Sequence, residues 1–244
     1  MAATAVQKGE PRRERGIIER PRLTKMLDEC EARVILLLAP AGYGKTTLAR
    51  QWVRTLFGAI WMSATPAHRD VATFSEDLAA GIDELGGNAG KFIGEYLSAQ
   101  SNPQRAARGV AGALADHINK QRAQWMVIDD YHELGGSPDI ESMVDVLLAR
   151  TSLRLLVASR VRPVWATARR LLYAEMSEIG RDALAMNSQE SFALLGQRQD
   201  LNELLEQAQG WPAVLALASR LGPTSPPTNA MPQALHRYVA DELL

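Results

Sequence analysis

The chain has 244 residues, enough to bury a hydrophobic core, and we expect one large domain with a small one appended. Its 27 basic and 28 acidic side chains leave a formal charge of -1, so no overall basic field is available to hold nucleic acid non-specifically. The single cysteine, Cys30, cannot form an internal disulfide, and the first residues are charged rather than apolar, so we expect a cytoplasmic protein. The longest apolar run, residues 34–41, is far shorter than the roughly 20 residues of a membrane-spanning helix, and no membrane contact is expected.

Residues 1–16 are polar, with three arginines close together and Pro11 and Gly16 interrupting any periodicity. We expect this segment to be a flexible tail, and the alternative is a basic arm that contacts a partner.

From residue 17 onward, short apolar runs alternate with helix-compatible spacing, which is typical of an α/β protein with a mainly parallel sheet. The runs are almost uniformly apolar, as expected for strands that helices cover on both faces. The five predicted strands are Arg33–Leu38, Ala59–Ser63, Trp125–Asp129, Leu153–Ala158 and Glu175–Ile179. The helices predicted between them are Lys45–Phe57, Val71–Leu85, Gln104–Lys120 and Ile140–Arg150.

After Ile179 the pattern changes to short amphipathic helices, which predicts a small helical domain over residues 181–222. Its helices are Ser188–Gly196, Leu201–Gln209 and a third that follows Gly210-Trp211-Pro212 and ends at Leu221. Residues 223–232 are rich in proline and are expected to be a linker. A final helix, residues 233–244, stops inside its apolar pattern without a cap, so we expect the chain to be a piece of a longer protein.

The strongest chemical signal is the segment APAGYGKTT, residues 39–47, which joins a predicted strand to a predicted helix. Phosphate binding requires this order, because a loop of small residues lets backbone N–H groups converge on oxygens and the helix N-terminus adds a favourable dipole. We expect Lys45 to reach the β- and γ-phosphates and the Thr46 hydroxyl to bind Mg²⁺. Ala39 replaces the first glycine of the strict motif. The remaining predicted nucleotide contacts of the loop are Ala41, Gly42, Tyr43, Gly44 and Thr47.

Nucleotide sites also need a carboxylate for the metal, usually at the end of a neighbouring apolar strand. Asp129 ends the predicted strand Trp125–Asp129 and is the expected second Mg²⁺ ligand, while Asp130 is placed to polarise an attacking water as general base. The sequence therefore predicts a site for ATP or ADP with Mg²⁺.

A basic residue follows the next predicted strand at the same edge of the sheet. Arg160 could contact the γ-phosphate there, and it is the predicted sensor; together with Asp130 and Lys45 it is also a predicted catalytic residue. Arg162 is a competitor for this role. His132 could position a phosphate or a water, although an ordinary hydrogen-bonded histidine in a turn is the simpler interpretation.

Together these segments resemble the STAND class of signal-transduction ATPases, and most closely the amino-terminal ATPase domain of MalT-like, large LuxR-family transcription regulators. The resemblance spans residues 17–244. Its parts are ERPRL at 19–23, APAGYGKTTL at 39–48, VIDDYHEL at 127–134, ASR at 158–160, GWP at 210–212 and HRYVADELL at 236–244.

The resemblance implies a five-stranded P-loop core of AAA+ type, with the strand before Arg160 lying between the strands that carry the phosphate loop and Asp129. The core and the small helical domain would enclose the nucleotide. Ile18 and Arg20 would lie beside the adenine, and Pro212 would contact the base or sugar. Residues 233–244 would begin a winged-helix domain.

Such regulators are switches, in which ADP favours a closed monomer and ATP with an inducer favours an oligomer that activates transcription. We therefore expect a regulatory domain with slow ATP hydrolysis that self-associates in the ATP state. The inducer and DNA would bind segments that this chain lacks. A motor or loader ATPase of the AAA+ type is the main alternative and would need an arginine finger between subunits. A small-molecule phosphotransferase is a further alternative and would need an acceptor pocket and a lid.

Overall fold

The computed structural model describes residues 17–99, 103–121, 123–196, 205–206 and 208–221, without the side chains of 103–106 and 221. The predicted tail over residues 1–16, the linker over 223–232 and the final helix over 233–244 lie outside the described residues. Most of the predicted helix Leu201–Gln209 lies outside them as well.

The centre of the molecule is a five-stranded sheet whose strand order is β2-β3-β4-β1-β5 and whose neighbouring strands are all parallel. The predicted α/β fold is therefore confirmed, and β4 lies between β1 and β3. Three strands begin one residue later than the sequence predicts, because hydrogen bonds to the neighbouring strand set where each strand begins. The backbone N–H of Leu153, for example, donates to the Thr151 hydroxyl and not to a neighbouring strand. The strands are β1 (Val34–Leu38), β2 (Ala59–Ser63), β3 (Trp125–Asp129), β4 (Arg154–Ser159) and β5 (Met176–Gly180).

Helices cover both faces of this sheet. The four helices predicted among the strands are present with shifted ends; one of them, α2, stops at Val53 rather than Phe57, because the chain turns at Gly58 (φ 69°) into β2. Helices α1, α4, α7 and α8 were not predicted, since three are short and α4 has glycines within it. The helices are α1 (Pro21–Asp28), α2 (Lys45–Val53), α3 (Val71–Glu84), α4 (Ala89–Ser98), α5 (Pro103–Gln121), α6 (Pro138–Arg150), α7 (Ala168–Leu172), α8 (Arg181–Leu184), α9 (Ser188–Leu195) and α10 (Pro212–Leu221).

Successive side chains of β1 lie on alternate faces of the sheet, and both faces are buried. Val34 and Leu36 face the helices α3 to α6, whereas Ile35 and Leu37 face α1, α2 and α8. Burial of each of these side chains contributes on the order of 1.5–3 kcal/mol to folding. Helix α1 begins with Pro21, and its buried leucines are four residues apart. Cys30 follows this helix and packs against the same core.

The segment after β5 forms a helical unit of α8, α9 and α10, in which α9 packs against α10. This unit lies beside the loop that joins β1 to α2, and it therefore borders the edge of the sheet where the predicted site residues meet. Over the described residues, no helix is both long and apolar enough to cross a membrane.

Candidate functional site

The predicted site residues converge at the carboxyl edge of the sheet, where parallel strands place the loops that follow them. The loop after β1, the turn after β3 and the residue after β4 border one cavity of about 290 Å³. The lining residues are Ala41, Gly42, Gly44, Lys45, Thr46, Thr47, Asp130 and Arg160.

The loop from Ala39 to Gly44 depends on its two glycines for its backbone conformation. Gly42 and Gly44 have φ values of 76° and 77°, a region that residues with a Cβ rarely adopt, and Gly44 caps α2 in this left-handed conformation. Because α2 starts at Lys45, its free N–H groups and the positive end of its dipole face the cavity. This geometry favours an anion.

Lys45 is buried, and its Nζ donates to the carbonyl oxygens of Ala39 (2.7 Å) and Pro40 (2.9 Å). Burial and, next, the nearby charge of Arg160 lower the pKa of Lys45 to about 8. Lys45, Arg160 and the helix N-terminus outweigh the one carboxylate that lines the cavity, Asp130, so the cavity favours a phosphate group.

Asp129 and Thr46 meet at the floor of the site. The Thr46 hydroxyl donates to Asp129 Oδ1 at 3.0 Å, and the backbone N–H of Asp130 donates to the same oxygen at 3.1 Å. Burial and the charge of Asp130 raise the pKa of Asp129, against the hydrogen bond from Thr46. Within the described ranges no cluster of three or more metal-ligating side chains occurs, so an Mg²⁺ ion would have one carboxylate, one hydroxyl and otherwise phosphate and water oxygens. Mg²⁺ is commonly held in this way beside a nucleotide, and the residues therefore fit the ion.

Asp130 occupies the turn after β3 with φ 52° and ψ 39°, a conformation that aspartate tolerates better than most residues. Its carboxylate is half-exposed at the cavity, 4.0 Å from His132 Nδ1. Burial and the charge of Arg160 lower the pKa of His132, so a neutral imidazole is favoured beside Arg160. Arg162, the alternative to Arg160, does not line this cavity, and its guanidinium pairs with Glu178 at 2.5 Å.

A second cavity, of about 200 Å³, adjoins the first and shares Gly42, Gly44 and Thr47 with it. Its wall is mainly apolar and comes from three parts of the chain: the segment before α1, helix α2 and the helical unit. A flat base with an apolar face fits such a wall. The residues that contribute are Ile17, Ile18, Arg20, Leu48, Gln51, Met186, Pro212, Ala213 and Ala216.

Arg20 lines this pocket, yet its guanidinium is directed into the helical unit. It donates to the carbonyl oxygens of Leu184 (2.8 Å) and Ala185 (2.9 Å) and pairs with Glu190 at 2.9 Å. Burial alone would raise the pKa of Glu190, but hydrogen bonds from Arg20, Asn187 and Arg22 lower it. Glu190 was not predicted as part of the site. The capping box that it forms with Asn187 is its only local sequence signal.

The segment Gly210-Trp211-Pro212 brings α10 to the pocket. Gly210 has φ 72°, and a Cβ there would lie 2.6 Å from the Met186 carbonyl oxygen, so no other residue fits without a shift. Pro212 starts α10, where its missing N–H costs nothing, and it is buried in the pocket wall. Ile18, Arg20 and Pro212, which the resemblance places near the base, therefore border one pocket.

Residues 29–160 match the model of a protein family described as "AAA domain". The chain belongs to this family. Its curated relatives include the HTH-type transcriptional regulator MalT of Vibrio campbellii, 29% identical over 216 residues that cover 85% of this chain and 24% of the relative. MalT of Klebsiella pneumoniae is 27% identical over a match that covers 96% of this chain and 28% of that protein. The chain is thus a MalT-like P-loop ATPase domain that spans about a quarter of these relatives.

Solved structures that share the fold of this AAA domain include two from Pyrococcus species. One is a Signal Transduction ATPase with Numerous Domains (STAND) protein with a tetratricopeptide repeat sensor from Pyrococcus horikoshii, with a TM-score of 0.63 and 17% identity over 95% of this chain and 33% of that one. The other is a Walker-type ATPase of Pyrococcus abyssi, with a TM-score of 0.51 and 15% identity over 92% of this chain and 72% of that one. At these low sequence identities, the similarity shows a shared fold and nothing more.

Proposed function

We propose that this AAA domain is the ATP- and ADP-binding switch of a signal-responsive transcription activator, with slow ATP hydrolysis coupled to self-association. The observation that carries the proposal is the pair of adjoining cavities. One is cationic and is built by the α/β unit, while the other is apolar and is completed by the helical unit. A nucleotide that fills both would contact both units, so its phosphate state could bias their arrangement.

The roles of the residues follow from their positions. The loop amides, Lys45 and Thr47 would hold the phosphates, and Thr46 and Asp129 would hold Mg²⁺. When bound, Mg²⁺ supplies charge neutralisation between the phosphates. Asp130 would take the proton of the attacking water, because its carboxylate is exposed to the cavity whereas that of Asp129 is engaged with Thr46.

Arg160 would distinguish ATP from ADP. It borders the phosphate cavity at the end of β4, close enough to Lys45 and His132 to affect the pKa of each. A γ-phosphate would give this cation a charged partner that ADP lacks. Such a difference in interaction energy between the two states is what a nucleotide switch requires.

The wider function rests on the relatives, which are transcriptional regulators about four times as long as this chain. By analogy, the ADP form would be a closed monomer and the ATP form would assemble in the presence of an inducer. The inducer and DNA would bind segments outside the matched region. A role in transcription would place the protein in the cytoplasm.

The first experiment is to denature the purified protein, identify any released nucleotide by chromatography and follow ATP turnover over hours. The switch predicts retained ADP or ATP and very slow turnover. An empty site with rapid turnover that rises with protein concentration would instead favour an AAA+ motor or loader, the alternative that membership of the AAA domain family keeps open.

The matched control for nucleotide binding is Lys45→Ala. It removes the cation that the loop carbonyls hold, so ADP and ATP binding should be lost while the folded structure is retained. Unchanged ATP affinity by calorimetry would contradict the assignment of the site.

A further inference from the structure

The helical unit also holds the phosphate loop, through hydrogen bonds to the carbonyl groups of that loop. The indole Nε1–H of Trp211 donates to the Ala41 carbonyl oxygen at 3.2 Å, and the backbone N–H of Ala213 donates to the Gly42 carbonyl oxygen at 3.0 Å. Because Pro212 has no N–H, Ala213 offers the first free donor of α10. Two consecutive loop carbonyls are thus held by α10 and the residue before it.

These bonds determine where the loop amides point. In the part of the chain that the structure describes there is no cis peptide bond, and in a trans peptide the C=O and the following N–H point in opposite directions. The Ala41 carbonyl shares its peptide unit with the Gly42 N–H, and the Gly42 carbonyl shares its unit with the Tyr43 N–H. Holding both carbonyls towards the helical unit therefore directs both N–H groups away from it, towards the cavity that Gly42, Gly44 and Lys45 line.

Tyr43 supplies a third attachment on the same side. Its ring stacks on Trp211 with centroids 6.1 Å apart and planes 18° apart, and its hydroxyl accepts a hydrogen bond from Arg181 Nε at 2.8 Å. The side chain is buried, so the residue in the middle of the loop is anchored in the helical unit. The glycines on either side of it give the loop conformational freedom that these contacts restrict.

We propose that Trp211 is a positioning residue for phosphate binding, because its indole N–H, together with the Ala213 amide, fixes the peptide orientations that aim the loop amides at the phosphates. The inference rests on the proposed nucleotide site and adds to it that the helical unit sets phosphate affinity without contacting phosphate. Separation of the helical unit from the loop and loss of the phosphates are then one coupled event.

The test compares Trp211→Phe with the unaltered protein by calorimetry, using ADP and adenosine as ligands. Phenylalanine keeps an aromatic ring against Tyr43 but removes the donor, so ADP affinity should fall about five-fold, the effect of one neutral hydrogen bond. Adenosine affinity should stay the same, since Trp211 does not line the pocket proposed for the base.

The matched control is Trp61→Phe, which removes an indole N–H that donates to the Ser63 hydroxyl on β2, outside both cavities. It should bind ADP like the unaltered protein. If Trp211→Phe does not fold, Tyr43→Phe tests the positioning of the loop by the helical unit through its third attachment. It removes only the hydroxyl that Arg181 contacts and should also weaken ADP binding but not adenosine binding, and unchanged ADP affinity would overturn the positioning role of the helical unit.

Unchanged ADP affinity, or equal losses of ADP and adenosine affinity, would overturn the positioning role of Trp211. If the unaltered protein bound no ADP, the proposed function itself would fail and this inference with it. The two failures are therefore distinguishable from the behaviour of the unaltered protein.

Discussion

Glu190→Gln tests whether a buried ion pair holds the helical unit to the segment before α1. The side chains of Arg20 and Glu190 are 7% and 8% exposed, and Glu190 also pairs with Arg22 at 3.2 Å. Glutamine has nearly the same shape and can still accept from the Asn187 N–H, so the cap of α9 is retained. What is lost is the negative charge opposite a buried guanidinium.

Removing one partner of a buried pair costs about 3–5 kcal/mol, and we expect the lower end because the hydrogen-bond acceptor remains. For a domain of this size, about 3 kcal/mol corresponds to a fall of roughly 6–12 °C in the midpoint of thermal unfolding. Circular dichroism at pH 7 would measure this shift. The control is Asp145→Asn, which breaks the more exposed pair with Arg170 (2.8 Å) and should cost at most about 1 kcal/mol.

The pH dependence of the same variant gives a second, independent readout. Because the native pKa of Glu190 lies below its ordinary value, its contribution to stability is complete above the ordinary carboxyl pKa and is lost as the pH falls through the native one. The difference between Glu190→Gln and the unaltered protein should therefore shrink in acid. A midpoint shift no larger than that of Asp145→Asn at pH 7 would refute the reasoning.

The remaining predictions concern the phosphate cavity. Because the pKa of Lys45 is lowered to about 8 and a bound phosphate favours the charged amine, ADP binding above pH 8 should take up a proton, and affinity there should fall by up to about ten-fold per pH unit. Calorimetry at pH 9 in buffers of different ionisation enthalpy measures this uptake, and its absence would contradict the charge state assigned to Lys45. Arg160→Ala should weaken ATP binding about ten-fold more than ADP binding, as expected for one charge-assisted hydrogen bond. Equal losses of ATP and ADP affinity would contradict its sensor role. Asp129→Asn should make ATP affinity insensitive to chelation of Mg²⁺ without lowering the stability of the nucleotide-free protein, because burial already disfavours the charge. Continued Mg²⁺ dependence in that variant would place the metal elsewhere.

Local sequence was sufficient to predict the residues at the centre of the site. The apolar run of β1, the glycines at 42 and 44 and the Lys45-Thr46 pair are contiguous, so their chemistry and spacing predict a strand, a loop and a helix without knowledge of the rest of the chain. Asp129 and Arg160 were brought to the same edge by a topological rule, because parallel strands end on one side of a sheet. Spacing alone could not decide between Arg160 and Arg162, and the ion pair of Arg162 with Glu178 is a tertiary contact.

The contacts that attach the helical unit to the rest of the chain were decided by the tertiary structure alone. Trp211 reaches Ala41 across 170 positions of sequence, and Arg20 reaches Glu190 across the same separation. No periodicity or local propensity encodes such a partner, because the pairing depends on how the chain returns to the sheet after β5. The sequence by itself therefore determined the phosphate loop, because its glycines, its lysine and the helix that follows are contiguous. Only the folded chain determined which groups hold that loop, because the energies of these contacts arise from burial between distant segments.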